Sequence, residues 1–200
     1  MDTLKTGDLI LFNGHNTGLL NYFSSLIRFG THSDYTHVGV IIKDPTFINP
    51  VLKGLYVWES GYEGTPDPQD NKIKVGVQIT PLFEMIQNFK GSTILFRKIN
   101  CNFNCFTDEN LKKVHEVVYN KPYDLVPKDW LEALVRKDIE PQKTDRFWCS
   151  ALVGYIYTKC GILDEDTDWS ILRPSDFSLA GEKLTFINGN KLENFEARLN

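Results

Sequence analysis

Residues 35–61 read YTHVGVIIKDPTFINPVLKGLYVWESG, and this stretch decides how the chain folds. His37–Ile42 is rich in valine and isoleucine, side chains that pack well on a pleated surface, and it stops at Asp44-Pro45. Leu55–Glu59 is a second such run, closed by Ser60-Gly61. A loop joins the two, so they are expected to pair antiparallel, with position 37 opposite or close to position 59 and 42 near 54. Side chains directly opposite in such a pair have Cβ atoms roughly 4.5–5.5 Å apart. The His37 imidazole is therefore expected within reach of the Glu59 carboxylate.

The flanking sequence continues the pattern. Asp8–Phe12 reads as a first strand, and Leu19, Leu20, Phe23, Leu26 and Ile27 recur at helical spacing up to Gly30. Gly61–Asn71 is crowded with Gly, Pro, Asp and Asn and reads as an exposed loop. Ile73, Val75, Val77 and Ile79 then alternate with polar residues or glycine, as in a half-buried strand. Thr80-Pro81 is expected to cap and start a helix carrying Leu82, Met85, Ile86 and Phe89. Ser92–Ile99 returns to strand, and Asp108–Asn120 is helical. Trp130–Val135 reads as a turn or two of helix, and Phe147–Cys160 is the most apolar helix, stopped by Gly161. A helical turn at Arg173–Asp176 and a strand at Leu184–Ile187 complete the expectation. Consecutive strands between helices point to an α+β class with a mainly antiparallel sheet, treated as a single domain spanning 1–200.

Composition narrows the function classes. Hydrophobic residues make up 42% of the 200 and aromatics 12%, enough for a packed core. The formal charge of −4 argues against a nucleic-acid partner, which normally requires a basic face. No run approaches the ~20 apolar residues of a membrane span, and the N-terminus lacks a secretory pattern. A soluble protein, cytoplasmic or otherwise intracellular, is expected, with four reduced cysteines rather than a disulfide scaffold.

Cys149 stands near the start of the apolar helix. A thiol there meets the positive end of the helix dipole and unpaired backbone N–H groups, which favour the thiolate and can hold an oxyanion. His37 opens a strand, where an imidazole is not demanded by packing but can take up a thiol proton. Glu59 can orient that imidazole. Each residue also has a bland reading: a buried core cysteine, a strand-edge histidine, a solvent-facing glutamate.

Four segments carry a resemblance: Lys5-Thr-Gly-Asp-Leu-Ile-Leu-Phe12, Tyr35-Thr-His-Val-Gly-Val40, Val57-Trp-Glu-Ser60 and Phe147-Trp-Cys-Ser-Ala-Leu-Val153. Together they resemble, in order, the circularly permuted NlpC-type branch of the papain-like cysteine hydrolases, which has bacterial and poxviral members. Asn120-Lys-Pro-Tyr-Asp124 and Arg173-Pro-Ser-Asp-Phe177 extend the likeness. The resemblance implies a papain-like fold and hydrolysis or acyl transfer at amides or esters. It implies Cys149, His37 and Glu59 as the triad, with no metal or other cofactor. Tyr123 would contribute to substrate binding or the oxyanion site, and Tyr35 and Trp58 would line the cleft, unless these aromatics belong to the core.

Other readings compete. Cys101, Cys105 and His115 are three possible zinc ligands without a fourth at usual spacing. A catalytically inactive module binding peptides or acyl groups would keep the same residues. Within the enzyme class, the substrate is a peptide or other amide, or an acyl lipid; the apolar helix Leu19–Phe29 could wall an acyl groove or simply be core.

Overall fold

The computed structural model describes residues 3–14, 34–101, 104–125, 144–181 and 184–199. The helix expected over Leu19–Phe29 and the turns at Trp130–Val135 lie outside the described residues.

Six strands form one sheet: β1 (Leu9–Asn13), β2 (Tyr35–Lys43), β3 (Leu55–Gly61), β4 (Gly76–Pro81), β5 (Thr93–Asn100) and β6 (Lys191–Leu199). Their order across the sheet is β4-β3-β2-β1-β5-β6, and every neighbouring pair is antiparallel. Three helices are described: α1 (Leu82–Asn88), α2 (Asp108–Val118) and α3 (Cys149–Lys159). Short 3-10 turns follow at Trp169–Ile171 and Pro174–Phe177.

Strand alternation sends alternate side chains into two separate apolar clusters. Leu9, Leu11, Val38, Val40, Ile42, Trp58 and Ile79 face the cluster that contains α3 and the buried side of α2. Ile10, Phe12, Ile41 and Val57 face the other, closed by Leu82 and Met85 of α1 and by Phe89. The sheet is thus buried on both sides, which is why β2 reads as an almost unbroken apolar run. Helix α3 is buried from Cys149 through Thr158, as expected of a helix that is apolar all round. Gly161, at φ +69°, ends it in the left-handed conformation that a side chain disfavours.

Several expectations are corrected. The α+β, papain-like, circularly permuted NlpC-type architecture gives way to a six-stranded antiparallel sheet with few helices among the described residues. Strand β4 begins at Gly76, three residues after Ile73; Ile73 and Val75 are exposed and precede the ladder with β3. Thr80 is a buried strand residue paired with Val57, and Pro81, not Thr80, precedes the first helical residue. Leu184–Ile187 contributes only a single bridge, Phe186 to Leu163. The last strand is instead β6, whose Lys191, Glu193, Glu196 and Arg198 suit an edge that must not pair with another chain.

Candidate active site

Histidine 37 and Glu59 do meet, although by a different register from the one expected. The β2–β3 ladder pairs Val40 with Trp58 and Ile42 with Tyr56. Continued toward the start of β2, that register sets position 37 against Gly61 and Gly39 against Glu59, two residues from the expected pairing. A shift of two preserves the face on which each side chain stands, so His37 and Glu59 become diagonal neighbours. The His37 Nε2 lies 3.2 Å from Glu59 Oε2. Glycine at 61 keeps that space open: a Cβ there would stand 2.6 Å from Glu59 Oε2 and 3.3 Å from His37 Cε1.

The close approach is not a hydrogen bond. Neither His37 Nε2 nor either carboxylate oxygen of Glu59 has a hydrogen-bond partner, although His37 is only 5% exposed and Glu59 is 0%. The carboxylate sits off the direction in which the ring nitrogen would donate. The imidazole packs beside the Phe12–Phe89 pair, its ring centroid 5.7 Å from Phe12 and 5.6 Å from Phe89.

Cys149 is the first residue of α3 and is 1% exposed. Trp148 before it is extended, and the first intrahelical bond is donated by Leu152 to the Trp148 carbonyl. The N–H groups of Cys149, Ser150 and Ala151 therefore precede the helical ladder. Cys149 lies close enough to His37 to act on the charge of its ring. Burial pushes the imidazole down, but Cys149 and the charge of Glu63 outweigh it and hold the ring above its ordinary value.

Glu63 belongs to this site and was not singled out in the sequence. It lies in the 61–71 segment read as an exposed loop, yet it is 9% exposed, and Asp67 is buried as well. The donor atoms of His37, Glu59 and Glu63 all lie within 4.8 Å of one another. Glu63 Oε2 accepts from the Asn88 side-chain amide at 3.2 Å, and that amide also donates to the Glu63 carbonyl at 3.1 Å. Burial, reinforced by the charge of Glu63, pushes Glu59 well above the usual carboxylate range; Gln78, directly across on β4, pulls it partly back. Burial raises Glu63 too, against His37 and Asn88, which lower it. A Glu-x-x-x-Glu spacing at the end of a strand is too common to have marked Glu63 beforehand.

The remaining candidates divide. Tyr123 is buried close to the site, its phenol raised well above its ordinary value by burial and then by the charges of Cys149 and Glu59. Tyr35 is not brought to the pair: its hydroxyl donates to Glu196 Oε2 of β6 at 2.8 Å. Trp58 stands on the opposite side of its strand from Glu59, with its ring against Phe47 and His115. The three possible zinc ligands are not assembled either. His115 Nε2 meets the Gln69 side chain and its ring lies beside Tyr119, while Cys101 and Cys105 lie together and influence Cys160.

No protein-family model matches the chain, and no curated protein matches it. A solved structure does: the metalloprotein yiiX from Escherichia coli O157:H7, DUF1105, at 17% identity and a TM-score of 0.52, covering 94% of this chain and 96% of that one. At that identity the likeness speaks to the fold alone. It is the finding that replaces the papain-like, NlpC-type expectation: the chain has the fold of the DUF1105 structure.

Proposed function

We propose that the protein is a cysteine-dependent hydrolase or acyltransferase of amide or ester bonds, with Cys149 as nucleophile, His37 as base and Glu59 as the residue that orients it. The observation that carries this reading is a thiol in the first turn of a buried helix, beside an imidazole whose Nε2 abuts a carboxyl group. The Cys149 proton passes to His37 as sulfur attacks the carbonyl carbon. The N–H groups at the start of α3 stabilise the oxyanion, with the Tyr123 hydroxyl a further donor. His37 then returns its proton to the departing amine or alcohol, leaving a thioester on Cys149. Water or an acceptor alcohol or amine cleaves the thioester, giving its own proton to His37, from which it passes back to sulfur.

A second reading shares this pocket. The yiiX protein is described as a metalloprotein, and His37, Glu59 and Glu63 are donors that a metal could use here. The test is therefore run on protein stripped with a chelator, so that it reads the thiol alone. The protein is incubated briefly with activated peptide esters and with fatty-acyl thioesters, quenched in acid and analysed by mass spectrometry. An acyl adduct on Cys149, absent in His37→Ala, is expected, and the donor that leaves it identifies the substrate class. No adduct on Cys149 from either donor would leave the inactive binding module as the better reading. No helix among the described residues is long and apolar enough to cross a membrane.

A further inference from the structure

The cluster at the end of β3 contains more carboxylate than an orienting residue requires. Glu59 Oε1 and Oε2, Glu63 Oε1 and His37 Nε2 are all buried and all lack a hydrogen-bond partner. Three acceptor oxygens and one ring nitrogen thus share a small volume into which no donor hydrogen bond is made. Among the described residues, the buried carboxylates of Asp8 and Asp67 collect backbone and lysine donors; Glu59 receives neither. A buried polar atom without a partner is costly, and a cluster of them calls for an explanation such as an ion.

We propose that His37 Nε2, Glu59 and Glu63 bind one divalent first-row transition metal ion, with zinc the best match. The donor set selects the ion: an imidazole nitrogen disfavours magnesium and calcium, which prefer all-oxygen shells, and suits zinc. Ligands about 2.1 Å from a tetrahedral zinc stand roughly 3.4 Å apart, close to the 3.2 Å between His37 Nε2 and Glu59 Oε2. The donor atoms of the full set lie within 4.8 Å of one another. Supporting contacts are in place on the ligands. Asn88 holds the second oxygen of Glu63, and Gln78 lies across from Glu59. Gly61 leaves room where any side chain would press on Glu59. Metal on Nε2 fixes the ring proton on Nδ1, so that His37 cannot take the proton of Cys149. The ion would then act as a brake on the thiol chemistry proposed above. The binding site itself stands whether or not Cys149 is a nucleophile.

Chelator-stripped protein is titrated with zinc chloride by calorimetry, and bound metal is counted by mass spectrometry after desalting. One zinc per chain is expected in the wild type and in Cys149→Ala, with affinity at least tenfold weaker in Glu63→Gln and in His37→Ala. Cobalt(II) in place of zinc should give visible bands without the near-ultraviolet band of sulfur ligation. Thermal denaturation without metal checks that each variant is folded, and Glu63→Gln, close to isosteric, serves where His37→Ala does not fold. Absence of stoichiometric binding, affinity unchanged in Glu63→Gln, or binding lost in Cys149→Ala or Cys101→Ser would overturn the proposal. The last outcome would assign the metal to a thiolate site. Alkylation of Cys149 in the stripped protein is a separate readout, so loss of the metal site and loss of the thiol mechanism are told apart.

Discussion

Two buried acidic groups a few residues apart, Asp67 and Glu59, are treated in opposite ways. Both side chains are 0% exposed. Asp67 accepts from the backbone N–H groups of Gln69 and Ile79 at 2.9 and 3.3 Å, from the Gln69 amide, and from Lys74 Nζ at 2.7 Å. Glu59 has no hydrogen bond and a second carboxylate close by. Asp67 is saturated with donors and ties the 61–75 segment to β4, so its charge supports the fold. Glu59 is held against its own solvation, and the proposed function explains its place by what it does to His37. A full set of donors marks a structural charge, and a deficit marks a working one.

The largest expected effect tests the working side. Cys149→Ala should lower ester hydrolysis by about 10³-fold or more, while thermal denaturation shifts little. A parallel loss of activity and fold would return Cys149 to the core. On the structural side, Asp67→Ala should cost about 2 kcal/mol in urea denaturation, because it takes an acceptor from the buried Ile79 N–H and leaves Lys74 with Asp70 alone. A cost near zero would break the contrast. Gly61→Ala should cost about 2 kcal/mol, since its Cβ must displace Glu59 or the strand. Its Cys149 alkylation should slow together with that loss. The smallest effect on stability is expected at Glu59→Gln, within about 1 kcal/mol of wild type or more stable, since no donor is lost. Alkylation of Cys149 should fall in Glu59→Gln, but by less than in His37→Ala. If Glu59→Gln destabilises as much as Asp67→Ala, the two carboxylates are of one kind.

The residues that meet were legible where local chemistry marks them. Valine and isoleucine marked β2, the apolar run marked α3, and the position of Cys149 at the head of that helix followed from the sequence. That His37 and Glu59 share a face survived an error of two in register, because strand geometry repeats every two residues. What failed depends on long-range packing. Glu63 looked solvated because its neighbours are turn formers, yet it is buried and bonded to Asn88 of α1. Strand β6 is mostly charged and becomes a strand by pairing with β5. Tyr35 looked like a cleft residue until Glu196 on that strand engaged its hydroxyl. The papain-like, NlpC-type expectation rested on short motifs, and motifs constrain local turns more than the arrangement of a sheet.

The coupling of Cys149 to His37 is tested most directly by competition among the four thiols. Burial pushes Cys101 and Cys160 up to about 12, with nearby cysteines adding to the shift, so these two thiols resist alkylation. Native, chelator-stripped protein is treated with limiting iodoacetamide at neutral pH, and modified peptides are counted over time by mass spectrometry. The account predicts that Cys149 is alkylated first and that its rate drops at least tenfold in His37→Ala. Cys149 reacting no faster than Cys101, Cys105 and Cys160, or at the same rate without His37, would contradict it.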